Sequence, residues 1–203
     1  NNRLKKHDSS GTYVTSITSL TGVTGVCVDS SDNVYVAYGN TFRKYNSALS
    51  LQWTQAQIYT ISHITTDGTN IYATIGSGFV LRRLCSTGAA ASPSLFGEGG
   101  SGDGKLSTPV GITFDGTYLY VVDQGNDRIQ KFTLSGAYIS KWGHAGTDPG
   151  EFQTPVGIHY NSVTGMLYVT DSGRDDVQEF TTDGAFVGSF GSAGTGNGQL
   201  QDA

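Results

Sequence analysis

Pro109-Val-Gly-Ile-Thr-Phe-Asp115 returns 46 residues later as Pro155-Val-Gly-Ile-His-Tyr-Asn161, and the residues after each copy repeat as well. A Leu-Tyr-Val segment ends in Asp in both, Leu119 to Asp123 and Leu167 to Asp171. A polar turn then leads to Arg128-Ile-Gln-Lys-Phe132 in one copy and Asp176-Val-Gln-Glu-Phe180 in the other. Ser-Gly or Asp-Gly precedes a last short apolar run, Ala137 to Trp142 and Ala185 to Phe190. Each run has the length and β-branched or aromatic character of a strand, and the Gly-containing breaks have turn chemistry. Four short strands in a period of about 40–45 residues are the pattern of a propeller blade.

Looser copies precede these two. Val23 to Asp29, Val34 to Val36, Phe42 to Tyr45 and Ala48 to Trp53 supply one set of four strands. Ile61 to Asp67, Ile71 to Thr74, Phe79 to Leu84 and the stretch up to Phe96 supply another. Asn2 to Lys6 and Gly11 to Val14 match only the last two strands of a blade, and Ala203 stands where Pro109 stands. The expected architecture is all-β, a single arc of propeller blades over 1–20 (half), 21–54, 55–97, 98–143, 144–191 and 192–203. Either the sequence is a fragment or the ring is completed by chain beyond it; an incomplete ring has two open edges, which makes contact with other chains or copies plausible.

These residues resemble the NHL-repeat family, whose blades read roughly Pro-x-Gly-Ile, Tyr-Val-x-Asp, Asn-x-Arg-Ile-Gln-x-Phe and a Phe-Gly end. Asn126 to Phe132 and the endings at Gly143 and Gly191 carry the likeness, most closely over residues 98–203. The resemblance implies four-stranded antiparallel blades in a ring usually closed by six. Pro109 and Pro155 would open the innermost strand, whose free edge tolerates the missing amide. Gly111 and Gly157 would allow close approach at the axis. Tyr35, Tyr72, Tyr120 and Tyr168 would pack between blades, and Trp53, Phe96, Trp142 and Phe190 would bury against the next blade.

Composition narrows the function. A formal net charge of −5 argues against a nucleic-acid partner. No apolar run approaches a membrane span. Gly97 to Gly102 formally fits a dinucleotide fingerprint and Gly99 to Lys105 nearly fits a P-loop, but Leu106 replaces the needed hydroxyl and a strand comes next, not a helix. Both read as inter-blade linkers. Some NHL propellers are zinc lyases with histidines between the Pro and the Gly of the first strand. Here Thr24, Ser62, Val110 and Val156 hold those positions, so the resemblance does not carry a zinc site. His63 replaces the Gly itself and His159 follows Gly157 by two.

Asp123, Asn126 and Arg128, with Asp171, Arg174 and Asp175, fall in the turn after the second strand and are the candidate ligand-binding residues of the loop face. A ring of such carboxylates suits calcium, but Tyr38 and Ile75 stand near this position in the earlier blades, and recurrence from blade to blade favours turn chemistry for the acids. Lys5, Lys6, Arg43, Lys44, Arg82, Arg83 and Lys131 form a basic band in the third strands, read as solvent-exposed in preference to an RNA surface. Cys27 and Cys85 read as free thiols. The function expected is a non-enzymatic binding or scaffold propeller for a protein or glycan partner, extracellular or on the cell surface, without a cofactor. The alternatives are a lyase or hydrolase with a metal at the channel mouth, and the sensor domain of a larger receptor.

Overall fold

A computed structural model describes residues 3–18 and 20–200; the matches at Asn2 and Ala203 lie outside them. Arg3–His7 (β1) and Tyr13–Thr18 (β2) form a two-stranded antiparallel sheet. Four four-stranded antiparallel sheets come after it. The first contains Val23–Val28 (β3), Val34–Tyr38 (β4), Thr41–Tyr45 (β5) and Leu51–Ala56 (β6). The second contains Ile61–Thr66 (β7), Asn70–Ile75 (β8), Phe79–Leu84 (β9) and Ala90–Phe96 (β10). The third contains Pro109–Phe114 (β11), Tyr118–Asp123 (β12), Arg128–Thr133 (β13) and Tyr138–Trp142 (β14). Pro155–Asn161 (β15), Met166–Asp171 (β16), Asp176–Phe180 (β17) and Phe186–Phe190 (β18) make the fourth. Every sheet is a simple meander, and each is a propeller blade.

Equivalence extends to the irregularities. Each first strand shifts register near its start, between Val23 and Gly25, Ile61 and His63, Pro109 and Ile112, and Pro155 and Ile158. These bulges bend the innermost strand toward the axis. There β3 lies beside β7, β7 beside β11, and β11 beside β15. Backbones approach so closely that a Cβ on Gly111 would come within 2.7 Å of the Val156 carbonyl oxygen, and one on Gly25 within 3.0 Å of the Ile64 nitrogen. Thr74 Oγ1 donates to the Val110 carbonyl at 2.5 Å, and the Tyr160 amide donates to Thr113 Oγ1 at 3.2 Å, tying neighbouring blades at the same radius.

Farther out, two devices join blade to blade. In the first, the last aromatic of one blade covers the hairpin glycine between the third and fourth strands of the next. Trp53 lies on Gly88, Phe96 on Gly136 and Trp142 on Gly184, all three glycines at positive φ. A side chain there would collide with the ring, so the glycine serves both the turn and the contact. Trp53 adds an indole bond to the Cys85 carbonyl at 3.2 Å. Phe190, which no described blade covers, is 57% exposed.

The second device uses the second-strand tyrosines. Tyr35, Tyr72 and Tyr120 are fully buried, and each hydroxyl donates to the hairpin Asp of its own blade: Asp29 at 2.8 Å, Asp67 at 2.9 Å and Asp115 at 2.6 Å. Tyr72 and Tyr120 also reach the next blade, at the Leu134 and Thr182 carbonyls. Burial first, then the facing carboxylate (for Tyr35, Cys85 and then Asp29), pushes these hydroxyls up in pKa, so they remain donors. Tyr168 departs from the set. Asn161 replaces the hairpin Asp in its blade, and the hydroxyl donates to Glu179 instead, at 2.8 Å.

Burial alone would raise the carboxyl pKa of Asp29 and Asp67, but the hydrogen bonds from Asn33 and Tyr35, and from Asn70 and Tyr72, outweigh it and hold both below the usual range. A depressed folded pKa gives stability that is present above the unfolded value, near about 4, and lost as pH falls through the folded one. Tyr72→Phe is therefore expected to lower stability by about 1–2 kcal/mol at neutral pH. In urea titrations from neutral to acid pH, that difference should shrink below about pH 4 as Asp67 protonates in either protein.

Third-strand cations also serve the blade interfaces. Lys131 is buried and lies 4.5 Å from the Tyr118 ring centre and 5.5 Å from that of Tyr120, while its Nζ donates to the Thr182 carbonyl of the next blade at 3.0 Å. Lys6 donates to the equivalent Ser47 carbonyl at 2.8 Å. Lys44 and Arg82 lie over Tyr35 and Tyr72. The expectation of a solvent-exposed basic band is thus corrected for these positions. Exposure is kept by Lys5, whose side chain alternates to the opposite face.

Candidate functional site

Four innermost strands wall a cavity of about 270 Å³. Each contributes three consecutive residues: Val26 to Val28, His63 to Thr65, Ile112 to Phe114 and Ile158 to Tyr160. One radial position is held by Cys27, Thr65, Thr113 and His159 in successive blades, so the wall presents small polar groups flanked by apolar ones. His159 is exposed and His63 half-buried. Burial lowers the His63 pKa, partly offset by its bond to the Ile112 backbone, so the ring is neutral near pH 7. Its Nδ1 is buried without a protein partner.

Nothing on this wall is an activated nucleophile. Burial, first, and the neighbouring Cys85 and Asp29 push the Cys27 thiol well up, which keeps it protonated. Both cysteines are free. Among the described residues no three His, Cys, Asp or Glu side chains converge as a metal would require. The wall can accept and donate neutral hydrogen bonds and pack apolar surface.

The loop-face candidates are largely turned inward. Asp123 is fully buried. Its Oδ1 accepts the Ser107 amide at 2.6 Å, and its Oδ2 accepts Asn126 Nδ2 at 2.8 Å, Arg128 Nε at 2.7 Å and Gln130 Nε2 at 3.0 Å. Arg128 in turn donates to the carbonyls of Ser101, Gly102 and Lys105. These bonds hold the glycine-rich linker against the blade, which explains Gly97 to Lys105 without a phosphate. Leu106 and Phe152, both fully buried, anchor this linker and the next through parallel bridges to Gly99 and Ala145.

Asp171 is likewise buried and accepts the amides of Gln153, Thr154 and Gly173. Arg174 pairs with Asp176 at 3.1 Å; in this blade Asp176 stands where Arg128 stands and Arg174 where Asn126 stands, so the arginine lies two residues earlier and its carboxylate partner is Asp176 instead of the strand-end Asp. Asp123, Arg128 and Asp171 therefore act inside the fold and offer no surface to a ligand. Asn126, Arg174 and Asp175 are half-exposed at the turn, Asp175 at φ 53° like its equivalent Asp127 at 48°. The structure does not bring the six into one cluster.

Sequence reasoning passed over the Tyr–Asp latches, the aromatic-on-glycine contacts and the Gln130 and Gln178 clamps. Gln178 repeats the role of Gln130, donating to the Glu151 carbonyl and accepting the Gly150 amide. The signal was present in the repeat: Gln recurs in the third strand two residues before Phe132 and Phe180.

The fold and the axial cavity define an arc of a β-propeller. No protein-family model matches the chain, and no curated protein matches it in sequence. Solved structures do. A protein of unknown function from Desulfotomaculum acetoxidans superposes with a TM-score of 0.67 at 18% identity, over 95% of this chain and 64% of that one. Virginiamycin B lyase from Staphylococcus aureus gives 0.59 at 16% identity, over 84% and 55%. BamB from Moraxella catarrhalis gives 0.57 at 13% identity, over 91% and 57%. The chain thus spans between 55% and 64% of the length of these propellers, and the likeness is one of fold.

Proposed function

We propose that this arc is a non-enzymatic binding module of NHL type, presented outside the cell or on its surface, and that its ligand enters the channel mouth. The reading is supported by one observation above the rest: the cavity wall combines the half-buried His63, whose Nδ1 has no protein partner, and the exposed His159 with apolar neighbours. Such a wall suits a polar neutral ligand, a glycan or the side chains of a protein segment. Asn126, Arg174 and Asp175 would add contacts at the rim. No cofactor is part of this reading.

The test is a glycan array and a peptide array probed with intact protein, repeated with His159→Ala. His159 is exposed, so the variant should melt like the parent while its binding falls about tenfold, ~1.4 kcal/mol. Unchanged binding by the variant would remove the channel mouth from the account. Stoichiometric zinc or calcium in the purified protein would instead favour the lyase or hydrolase reading.

A further inference from the structure

We infer that the seam between the β3–β6 and β7–β10 blades is a second binding site, for a small hydroxylated monocarboxylate the size of one sugar acid. A cavity of about 360 Å³ lies there. Asp29, Ser31 and Lys44 wall it from one blade, and Thr69, Leu84 and Ser86 from the other. Both flanking blades have all four of their strands. Tyr35 and Cys85 form a buried floor, Lys44 is half-buried, and Ser31, Thr69 and Ser86 stand exposed at the rim.

This seam is closed differently from its neighbours. The cations equivalent to Lys44 each end on a backbone carbonyl: Lys6 on Ser47 at 2.8 Å, Arg82 on Ser92 at 2.9 Å and Lys131 on Thr182 at 3.0 Å. Tyr72 and Tyr120 likewise cross to a carbonyl of the next blade. The carbonyl in the matching place for Lys44 and Tyr35 is that of Cys85, and Trp53 Nε1 donates to it instead, at 3.2 Å. The hairpin behind it is also one residue longer. Gly88 N donates back to Leu84, four residues, whereas Gly136 and Gly184 donate back to Thr133 and Thr181, three residues. Lys44 is left 5.5 Å from the Tyr35 ring centre, with no hydrogen bond or ion pair among the described residues. A half-buried ammonium beside a cavity, lacking the acceptor that its equivalents have, is matched by an acceptor on a ligand.

The wall sets the chemistry of that ligand. Lys44 is the only cation lining the cavity, so it suits a single carboxylate. Asp29 is on the wall too, but the Ser31 and Asn33 amides, the Asn33 side chain and the Tyr35 hydroxyl fill its oxygens. Asp29 therefore shapes the hairpin, and its charge opposes a dianion such as phosphate. Ser31, Thr69 and Ser86 place three hydroxyls around the mouth, each able to donate to or accept from the hydroxyls of a sugar acid. Leu84 offers apolar surface to the ring carbons. The volume falls at the lower end of the range of about 300–1,000 Å³ usual for small-molecule sites.

Calorimetric titration of the intact protein with sodium glucuronate, glucose, acetate and inorganic phosphate tests this. Glucuronate should bind one to one, at least about tenfold more tightly than any of the other three. In magnetic resonance spectra of the parent, its largest shifts should fall on the amides of Ser31, Thr69 and Ser86. Lys44→Met keeps a stem over Tyr35 but removes the charge, and Ser86→Phe sets a ring across the exposed mouth. Each should weaken glucuronate by at least about tenfold while melting close to the parent. His159→Ala alters the channel wall alone and should bind glucuronate as the parent does, so this site and the channel reading stand or fall separately. The inference is overturned if the parent does not bind glucuronate, or if acetate, glucose or phosphate binds equally well. Undiminished binding by Lys44→Met, or shifts that map to the channel wall, would overturn it too.

Discussion

Gly111→Ala is expected to destabilise the protein by about 2–3 kcal/mol in urea denaturation, whereas Gly157→Ala at the matching position of the next blade should cost under about 1 kcal/mol. The two glycines occupy the same place in the repeat, so propensity and local geometry predict the same cost. Their surroundings do not. A Cβ on Gly111 meets the Val156 carbonyl oxygen at 2.7 Å and the Ile158 nitrogen at 3.1 Å, backbone atoms that move only if the two blades part. One on Gly157 meets the hydroxyl of Thr170 at 3.0 Å, a side chain able to turn away. The difference arises because another blade lies beside Gly111 and, among the described residues, none lies beyond Gly157. Equal costs would mean that the axis is not packed as described.

Asp123→Ala should be more damaging, at about 3–5 kcal/mol, because it strands the buried Arg128 guanidinium and leaves the Ser107 amide, Asn126 and Gln130 without their shared acceptor. Asp171→Ala removes three backbone bonds but no ion pair, and should cost about 1–3 kcal/mol. Hydrogen exchange would locate the damage: amides of Gly100 and Leu106 in the linker should lose protection in Asp123→Ala before the β12–β13 ladder does. A linker that stays protected would show that Arg128 holds its carbonyls without help from Asp123.

The blades were legible in the sequence because period, turn chemistry and strand composition agree over residues 98–190, and even the loose copies kept Tyr35 and Tyr72 in register. The exposed basic band was misread for a physical reason. Strand alternation gives the face a side chain leaves from, but in a propeller both faces of a blade are buried by neighbours, so Lys131 ends under the next hairpin rather than in water. For the loop-face acids the sequence left two roles in competition, ligand and turn. Asp123 and Asp171 close a strand in a turn, where sequence suggests exposure, yet the inter-blade linker folds back and covers them. Recurrence in the repeat was the better guide to their role. The channel wall was the least legible, since its members are far apart in sequence and meet only when four blades are placed about one axis.

The most direct test of that placement is a nuclear Overhauser measurement on the intact chain between the α protons of Gly111 and the amide proton of Ile158, together with the pair Gly25 and Ile64. Innermost strands lying side by side predict strong cross-peaks for both pairs. If neither pair gives one while the ladders within each blade are all observed, the strands do not share an axis and the propeller account fails.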